Sequence, residues 1–281
     1  MHKLPLVFLT VLAQGAVGIF ICLGLIECLA KPGEKAMTRS FIASLVLLGV
    51  ASVASVTHLG QPFRMLNVMF GLEHLSALSL EIVALSLFGG SAAAYTGMRL
   101  FNLLPGLRKL VLPVAMVSGF IFILAFTNVY TLKTVPTWNS GWTFFQFLMT
   151  AAVIGPVGAA ALLRWQSAEA GSVQMTADKA LATVGLMALV VSVTGYVGYL
   201  FWLGQLAVHA NPLAVMDYHA VMSMVRMALL MGGLIASAVS AMRGNHKATG
   251  VTAVCFLMVI AAELMGRIFF YDIYISASSG M

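Results

Sequence analysis

Seven side chains in this sequence could do acid–base or hydrogen-bonding chemistry in places where an apolar solvent makes them costly. His58, Arg64 and Glu81 share one stretch, THLGQPFRMLNVMFGLEHLSALSLE, running from Thr57 to Glu81. Tyr130, Arg226, Glu263 and Arg267 lie in, or at the ends of, other long apolar runs. The His58 imidazole can accept a proton or donate a hydrogen bond to a ligand oxygen, or it can simply cap a helix with its ring in water. Glu81 is flanked by SALSL and IVALSLFGG. A carboxylate there either pairs with a cation, Arg64 or Arg226, or exchanges a proton with something that visits it. Glu263 and Arg267 are four residues apart, so they share a helical face and neutralise each other as a structural ion pair. An ionisable group inside a bilayer is expensive enough that function is the default hypothesis.

The elements that hold these residues follow from composition. The protein has 281 residues, of which 61% are hydrophobic and only 9% charged, with a mean hydropathy of +1.00. Soluble domains carry about 25% charge. Apolar runs of ~20 residues recur from end to end, which predicts an all-α polytopic membrane protein. The runs are continuous rather than alternating, which excludes a β-barrel. Eight transmembrane helices are expected, over 5–30, 40–59, 76–98, 110–130, 143–164, 180–203, 220–242 and 249–271. The first run is too long for a signal-peptide core and shows no small-residue cleavage site, so it reads as a retained helix. No linker marks a boundary, so residues 1–281 are expected to act as one membrane domain.

Charge sets the orientation. Ten cations fall in the loops after the first, third, fifth and seventh spans: Lys31, Lys35, Arg39, Arg99, Arg108, Lys109, Arg164, Lys179, Arg243 and Lys247. The opposite end holds only Lys3, Arg64 and Lys133. The positive-inside rule then places both termini in the periplasm. His58, Glu81, Tyr130, Arg226, Glu263 and Arg267 all converge on that periplasmic end, within roughly 10 Å of depth. The cytoplasmic loops read as plain charged turns, and the inner halves of the helices as nearly free of polar groups. Tyr130, Trp138 and Trp142 fit an aromatic belt at the membrane interface, with ligand contact by Tyr130 as its other reading. His74, His209, His219 and His246 fall in or beside loops and read as solvated.

Several chemistries are excluded. The net charge of +6 comes from topology-setting loops rather than a nucleic-acid patch. Cys22, Cys28 and Cys255 show no ligand spacing and read as packing residues, so no iron–sulfur cluster and no metal site is expected. No span interior carries the paired histidines of a haem b, and no phosphate-binding loop or dinucleotide fingerprint appears. A redox role therefore requires a lipid-soluble two-electron carrier and an external acceptor.

At HLGQPFRMLN, NVYTLKTVPTW and ELMGRIFFY the sequence resembles the membrane anchor subunit of anaerobic dimethyl sulfoxide reductase (the DmsC family). LPLVFLTVLAQGAVG and SALSLEI fit as well, and the similarity runs from about residue 4 to residue 280. The resemblance implies an eight-helix anchor in the bacterial inner membrane with periplasmic termini. It implies that the protein binds menaquinol and passes electrons to an iron–sulfur subunit, which feeds a molybdopterin catalytic subunit on the periplasmic face. The family's quinol-site His and Glu correspond to His58 and Glu81. Two departures stand out: Leu80 precedes Glu81 where the family usually has Asn, and the segment 200–219 diverges.

The expected function is thus menaquinol oxidation in anaerobic respiration. His58 and Glu81 are the catalytic candidates, and Arg64, Tyr130 and Arg226 further contacts to the quinol. Three other readings stand beside it: an anchor for a polysulfide- or tetrathionate-type reductase, a proton-coupled transporter using Glu81 and Glu263, and a structural anchor without a quinol pocket. The terminal substrate would be chosen in another subunit.

Overall fold

The computed structural model describes residues 4–30, 32–56, 76–166, 174–206, 208, 211–214, 219–243 and 249–275. Eight long helices account for nearly all of them: α1 Leu4–Leu29, α2 Glu34–Val56, α3 Ala77–Leu100, α4 Pro105–Tyr130, α5 Gly141–Trp165, α6 Gln174–Gln205, α7 Ala220–Met242 and α8 Thr249–Asp272. Each is long and apolar enough to cross a bilayer. Helices are the open structure that can do so, because each backbone N–H and C=O is satisfied within its own segment. Side-chain hydroxyls follow the same logic. Thr96 and Thr127 donate back to the carbonyls of Ala92 and Ile123, four residues earlier, at 2.8 Å.

α1 is the axis of the bundle. It packs against α2, α4, α5 and α8, while α3 pairs with α4 and α7 with α8. Lipid tails are as apolar as leucine, so association of such helices depends on close backbone approach and polar contacts. Glycines supply the approach between α1 and α5. A Cβ on Gly18 would overlap the Ala151 carbonyl oxygen, and one on Gly155 would lie 2.6 Å from the Gly18 oxygen. Polar contacts come from Thr10 and Gln14, both fully buried on α1. Leucine and valine dominate the outward faces of α3, α4 and α6, as expected of surfaces solvated by lipid.

Three helices begin five or six residues before their expected limits. α2 starts at Glu34 rather than 40, α4 at Pro105 rather than 110, and α6 at Gln174 rather than 180. Hydropathy locates the part of a helix that crosses hydrocarbon. Backbone hydrogen bonding then continues into polar turns on the cation-rich side.

That side also corrects the expectation of solvated, featureless inner ends. Arg99 is 5% and Arg164 1% exposed. Arg99 pairs with Glu27, which also takes the Tyr95 hydroxyl as a donor. Arg164 contacts Asp178 at 3.1 Å and Ser240 at 2.7 Å, and Gln174 donates to the other Asp178 oxygen at 2.9 Å. These cations turn inward because acids on neighbouring helices neutralise them there. Cys22 and Cys255 are buried, but Cys28 is exposed rather than packed.

Candidate functional site

The site is built at the cation-poor end, where α3 begins. Ser76 caps that helix: its Oγ accepts from the Ser79 backbone N–H at 3.1 Å and lies 2.6 Å from the Ser79 Oγ. The cap satisfies an orphan donor of the first turn. It also fixes Glu81 as the fifth residue of α3, ~6 Å from the helix end at 1.5 Å per residue. Glu81 is half-buried. It lies within electrostatic range of the Tyr130 and Tyr271 phenols. Those two hydroxyls hydrogen-bond at 2.8 Å, joining the last residue of α4 to the last turn of α8. Tyr271 also meets Thr10 of α1.

A strap holds this corner in place. Trp138 donates its indole N–H to the Phe270 carbonyl and Thr137 its hydroxyl to the Ile273 carbonyl, both at 2.9 Å. Carbonyls in the last turn of a helix have no intrahelical partner, so these side chains complete the end of α8. The Trp138 ring stacks on Phe270 at 5.1 Å and is only 8% exposed. Trp138 is therefore an internal brace, not a belt residue at the lipid interface. Tyr130 likewise faces Phe126, Trp138, Phe147, Phe270 and Tyr271. His219, expected to be solvated, lies 3.2 Å from Asp272.

Deeper in the bundle a second polar group brings together side chains from four helices. Arg267 donates to Gln14 Oε1 at 2.8 Å and to Thr150 Oγ1 at 3.1 Å. Thr150 in turn donates to Glu263 Oε2 at 2.6 Å. The other Glu263 oxygen faces Arg226 at 3.9 Å. Arg267 also sits 3.7 Å over the Phe147 ring, and Arg226 4.8 Å over that of Tyr196. Glu263 and Arg267 are thus joined through Thr150 rather than directly, and the cation opposite Glu263 is Arg226. Glu263 lies nine residues from the end of α8, ~13 Å deep. Gly266 makes the Arg226 placement feasible: a Cβ there would be 2.5 Å from the guanidinium carbon. Gln14 Nε2, Arg226 Nε and Arg267 Nη1 are buried donors without a partner among the described residues. They could hold a water or a ligand oxygen.

The sequence-predicted residues divide accordingly. Glu81 lies within electrostatic range of Tyr130, while Arg226, Glu263 and Arg267 form the deeper group. His58 and Arg64 lie outside the described residues, as do His74, His209 and His246. Sequence reasoning missed Thr10, Gln14, Thr150 and Tyr271. A glutamine within the uninterrupted apolar run of α1 was the available signal for Gln14; nothing local distinguished Thr150 from other helical threonines.

One contrast separates Glu81 from its peers. Six acidic residues are described, and five of them have a basic partner: Glu27 with Arg99, Glu34 with Arg108, Asp178 with Arg164, Glu263 with Arg226 and Asp272 with His219. Among the described residues Glu81 has none. No group of three or more metal-ligating side chains occurs among them either.

A sequence model of the family described as DMSO reductase anchor subunit (DmsC) matches residues 1–273. The protein belongs to the DmsC family. It is 32% identical to the C subunit of the anaerobic dimethyl sulfoxide reductase of Escherichia coli, over 98% of its own length and 96% of that relative's. It is 29% identical to the anaerobic dimethyl sulfoxide reductase subunit YnfH of the same organism and 28% identical to the corresponding C subunit of Haemophilus influenzae, with the same coverage. This DmsC-family protein is accordingly a multi-pass bacterial inner-membrane protein, the membrane anchor of a dimethyl sulfoxide reductase-type oxidoreductase. An anchor implies catalytic and electron-transfer subunits held at the membrane.

Proposed function

We propose that the anchor oxidises a membrane quinol, menaquinol, beside Glu81 at the cation-poor end of the bundle. The quinol loses two electrons and two protons to become the quinone. The electrons pass to an iron–sulfur subunit docked on that face, and from there to a molybdopterin subunit that reduces dimethyl sulfoxide or a chemically similar acceptor. The observation that carries this reading is the half-buried Glu81 carboxyl within a membrane helix, without a basic partner among the described residues. A carboxylate fixed by an ion pair cannot readily take up a proton, whereas one without such a partner can act as general base toward a bound hydroxyl.

The surrounding groups support the assignment. Tyr130 and Tyr271 supply phenols for hydrogen bonding, and the aromatic wall around Tyr130 suits a flat ring system. His58 and Arg64, which share the 57–81 stretch with Glu81 and lie outside the described residues, are the further proposed headgroup contacts. Protons and electrons would leave by the same face, periplasmic by the cation count, so the subunit would not itself charge the membrane. The whole protein acts as one anchoring unit in this reading.

The test is the pair Glu81→Lys and His58→Arg in the assembled enzyme. Quinol-dependent reduction of the acceptor is expected to be lost, while reduction driven by a soluble viologen donor and attachment of the complex to membranes persist. Normal quinol turnover in both variants overturns the siting. Loss of attachment in both instead favours a purely structural anchor.

A further inference from the structure

The cation-rich end holds two adjoining cavities, of about 680 and 550 Å³, which share Glu34 and Arg99 in their walls. Lys35, Thr38 and Arg39 line the first. The second is walled by Arg108 and Lys109 at its rim and by Leu112, Pro113 and Met116 further along α4. Pro113 also lines a third cavity of about 320 Å³ between α3 and α4, whose accessible wall is wholly apolar, with Leu87, Val117 and Ile121. From Lys109 to Met116 is seven residues, or ~10 Å along the helix. The recess is therefore cationic at the membrane surface and apolar one to two turns deeper.

Charge in the recess is unbalanced. Among the described lining residues, Arg99 and Arg108 are matched by Glu27 and Glu34, which leaves Lys35 and Lys109 as an excess of two positive charges. Arg99 is held by Glu27 and Arg108 by Glu34, at 2.8 Å for the latter. Lys35 and Lys109 are exposed and have no carboxylate partner among the described residues. Topology alone asks only that cations stay in solution on this side. It does not account for their lining a recess that continues into an apolar groove.

We propose that this recess is a binding site for an anionic glycerophospholipid. Lipid phosphate is held at Lys35 in the first cavity and at Lys109 in the second, beside the Arg99 and Arg108 pairs, and an acyl tail follows Met116 and Pro113 toward Val117. The positive excess selects against zwitterionic headgroups, because an ammonium would be brought among cations. The apolar continuation selects against a free anion, which gains nothing from it. Two neighbouring basic cavities fit a lipid with two phosphates better than a lipid with one. Bound there, the lipid would tie α1, α2, α3 and α4 together at the end opposite the quinol-site candidate. The proposal does not depend on the quinol reading.

Native mass spectrometry of the complete complex, delipidated in mild detergent, tests this. It is titrated with diphosphatidylglycerol, phosphatidylglycerol, phosphatidylethanolamine and inorganic phosphate in separate arms. Retention is expected in the order diphosphatidylglycerol, phosphatidylglycerol, phosphatidylethanolamine, and inorganic phosphate is expected not to compete. The double variant Lys35→Glu with Lys109→Glu should weaken diphosphatidylglycerol binding by at least about tenfold. Lys179→Glu, an exposed cation on α6 at the same end, should leave it unchanged. Cys28 lines the second cavity while Cys22 and Cys255 are buried, so maleimide labelling of the wild-type complex, read by peptide mapping at Cys28 of the anchor, reports on the recess. Diphosphatidylglycerol should slow that labelling. Equal binding of phosphatidylethanolamine, displacement by inorganic phosphate, or an unprotected Cys28 overturns the proposal, and the labelling arm stands even if the double variant fails to accumulate.

Discussion

Thr150→Val isolates the bridge on which the buried polar group depends. Valine matches threonine in shape and puts a methyl in place of the hydroxyl, so packing is conserved while the two contacts to the charged groups vanish, the 3.1 Å bond from Arg267 and the 2.6 Å bond to Glu263, along with the local 3.1 Å contact to the Gln146 carbonyl within the same helix. In soluble proteins a hydrogen bond to a charged group is worth about 1.5–3 kcal/mol. Inside membranes, measured side-chain hydrogen bonds average only ~0.6 kcal/mol and reach ~1.7. The lower scale applies here, because neither charge is stripped of its partners. Glu263 keeps Arg226 at 3.9 Å and Arg267 keeps Gln14 at 2.8 Å. Two bonds to charges then give an expected loss of about 1–3 kcal/mol. That is below the ~3–5 kcal/mol that follows when a buried charge loses its only partner. The assay is reversible unfolding in mixed detergent micelles, titrated with a denaturing surfactant and followed by tryptophan fluorescence. Combining Thr150→Val with Glu263→Leu, which has no acceptor left for the Thr150 hydroxyl, should cost less than the sum of the single changes, since both remove the same contact. Wild-type stability in Thr150→Val, or strict additivity of the pair, refutes the bridge.

Two further perturbations address the scaffold. Asp178→Asn leaves the 1%-exposed Arg164 without a countercharge and should destabilise the anchor by about 3–5 kcal/mol; a thermal aggregation scan reads this, and changing Arg164 and Asp178 together to Leu should recover most of the loss. Gly18→Leu drives a side chain into the Ala151 backbone and should abolish accumulation of the anchor in membranes, measured by immunoblot, whereas Gly97→Leu, where a Cβ meets nothing within 4 Å, should be tolerated.

How far the sequence reaches depends on whether a property is local. Eight spans are legible because hydropathy sums over ~20 neighbouring residues. The position of Glu81 just inside α3 is equally local, set by Ser76 and the apolar run behind it. The route between Glu263 and Arg267 is not local. It depends on Thr150, 113 residues from Glu263, and i to i+4 spacing alone suggested a direct pair. Trp138 reads as a belt residue from its loop position, and only the fold reveals the α8 carbonyl that it satisfies. Arg99 and Arg164 register in the topology count as solvated cations, because the acids that draw them inward, Glu27 and Asp178, lie on other helices. Membrane helices of this kind display their polar residues plainly in the sequence and conceal which of them meet.

The distribution of charge at the cation-poor end bears on how the proposed chemistry would run. Arg226, Arg267 and Glu263 together carry one net positive charge, and Glu81 supplies the matching negative one at a distance. Tyr130 and Tyr271 are each within electrostatic range of both Glu81 and Arg267. Taken by themselves, these four side chains balance while Glu81 is ionised. In the proposed reaction, once Glu81 has taken a quinol proton and the electrons have left for the acceptor, these four residues are left with a net positive charge in a medium of low dielectric, where such an imbalance is costly. A quinol has two protons to lose, and Glu81 can hold one. The balance is restored only by releasing that proton outward before the next is taken. Glu81 lies ~6 Å from the end of α3, whereas Glu263 is ~13 Å deep and bound on both oxygens. Shallow placement without a basic partner among the described residues suits the carboxyl that must exchange protons with water, and deep placement with two partners suits the one that must not.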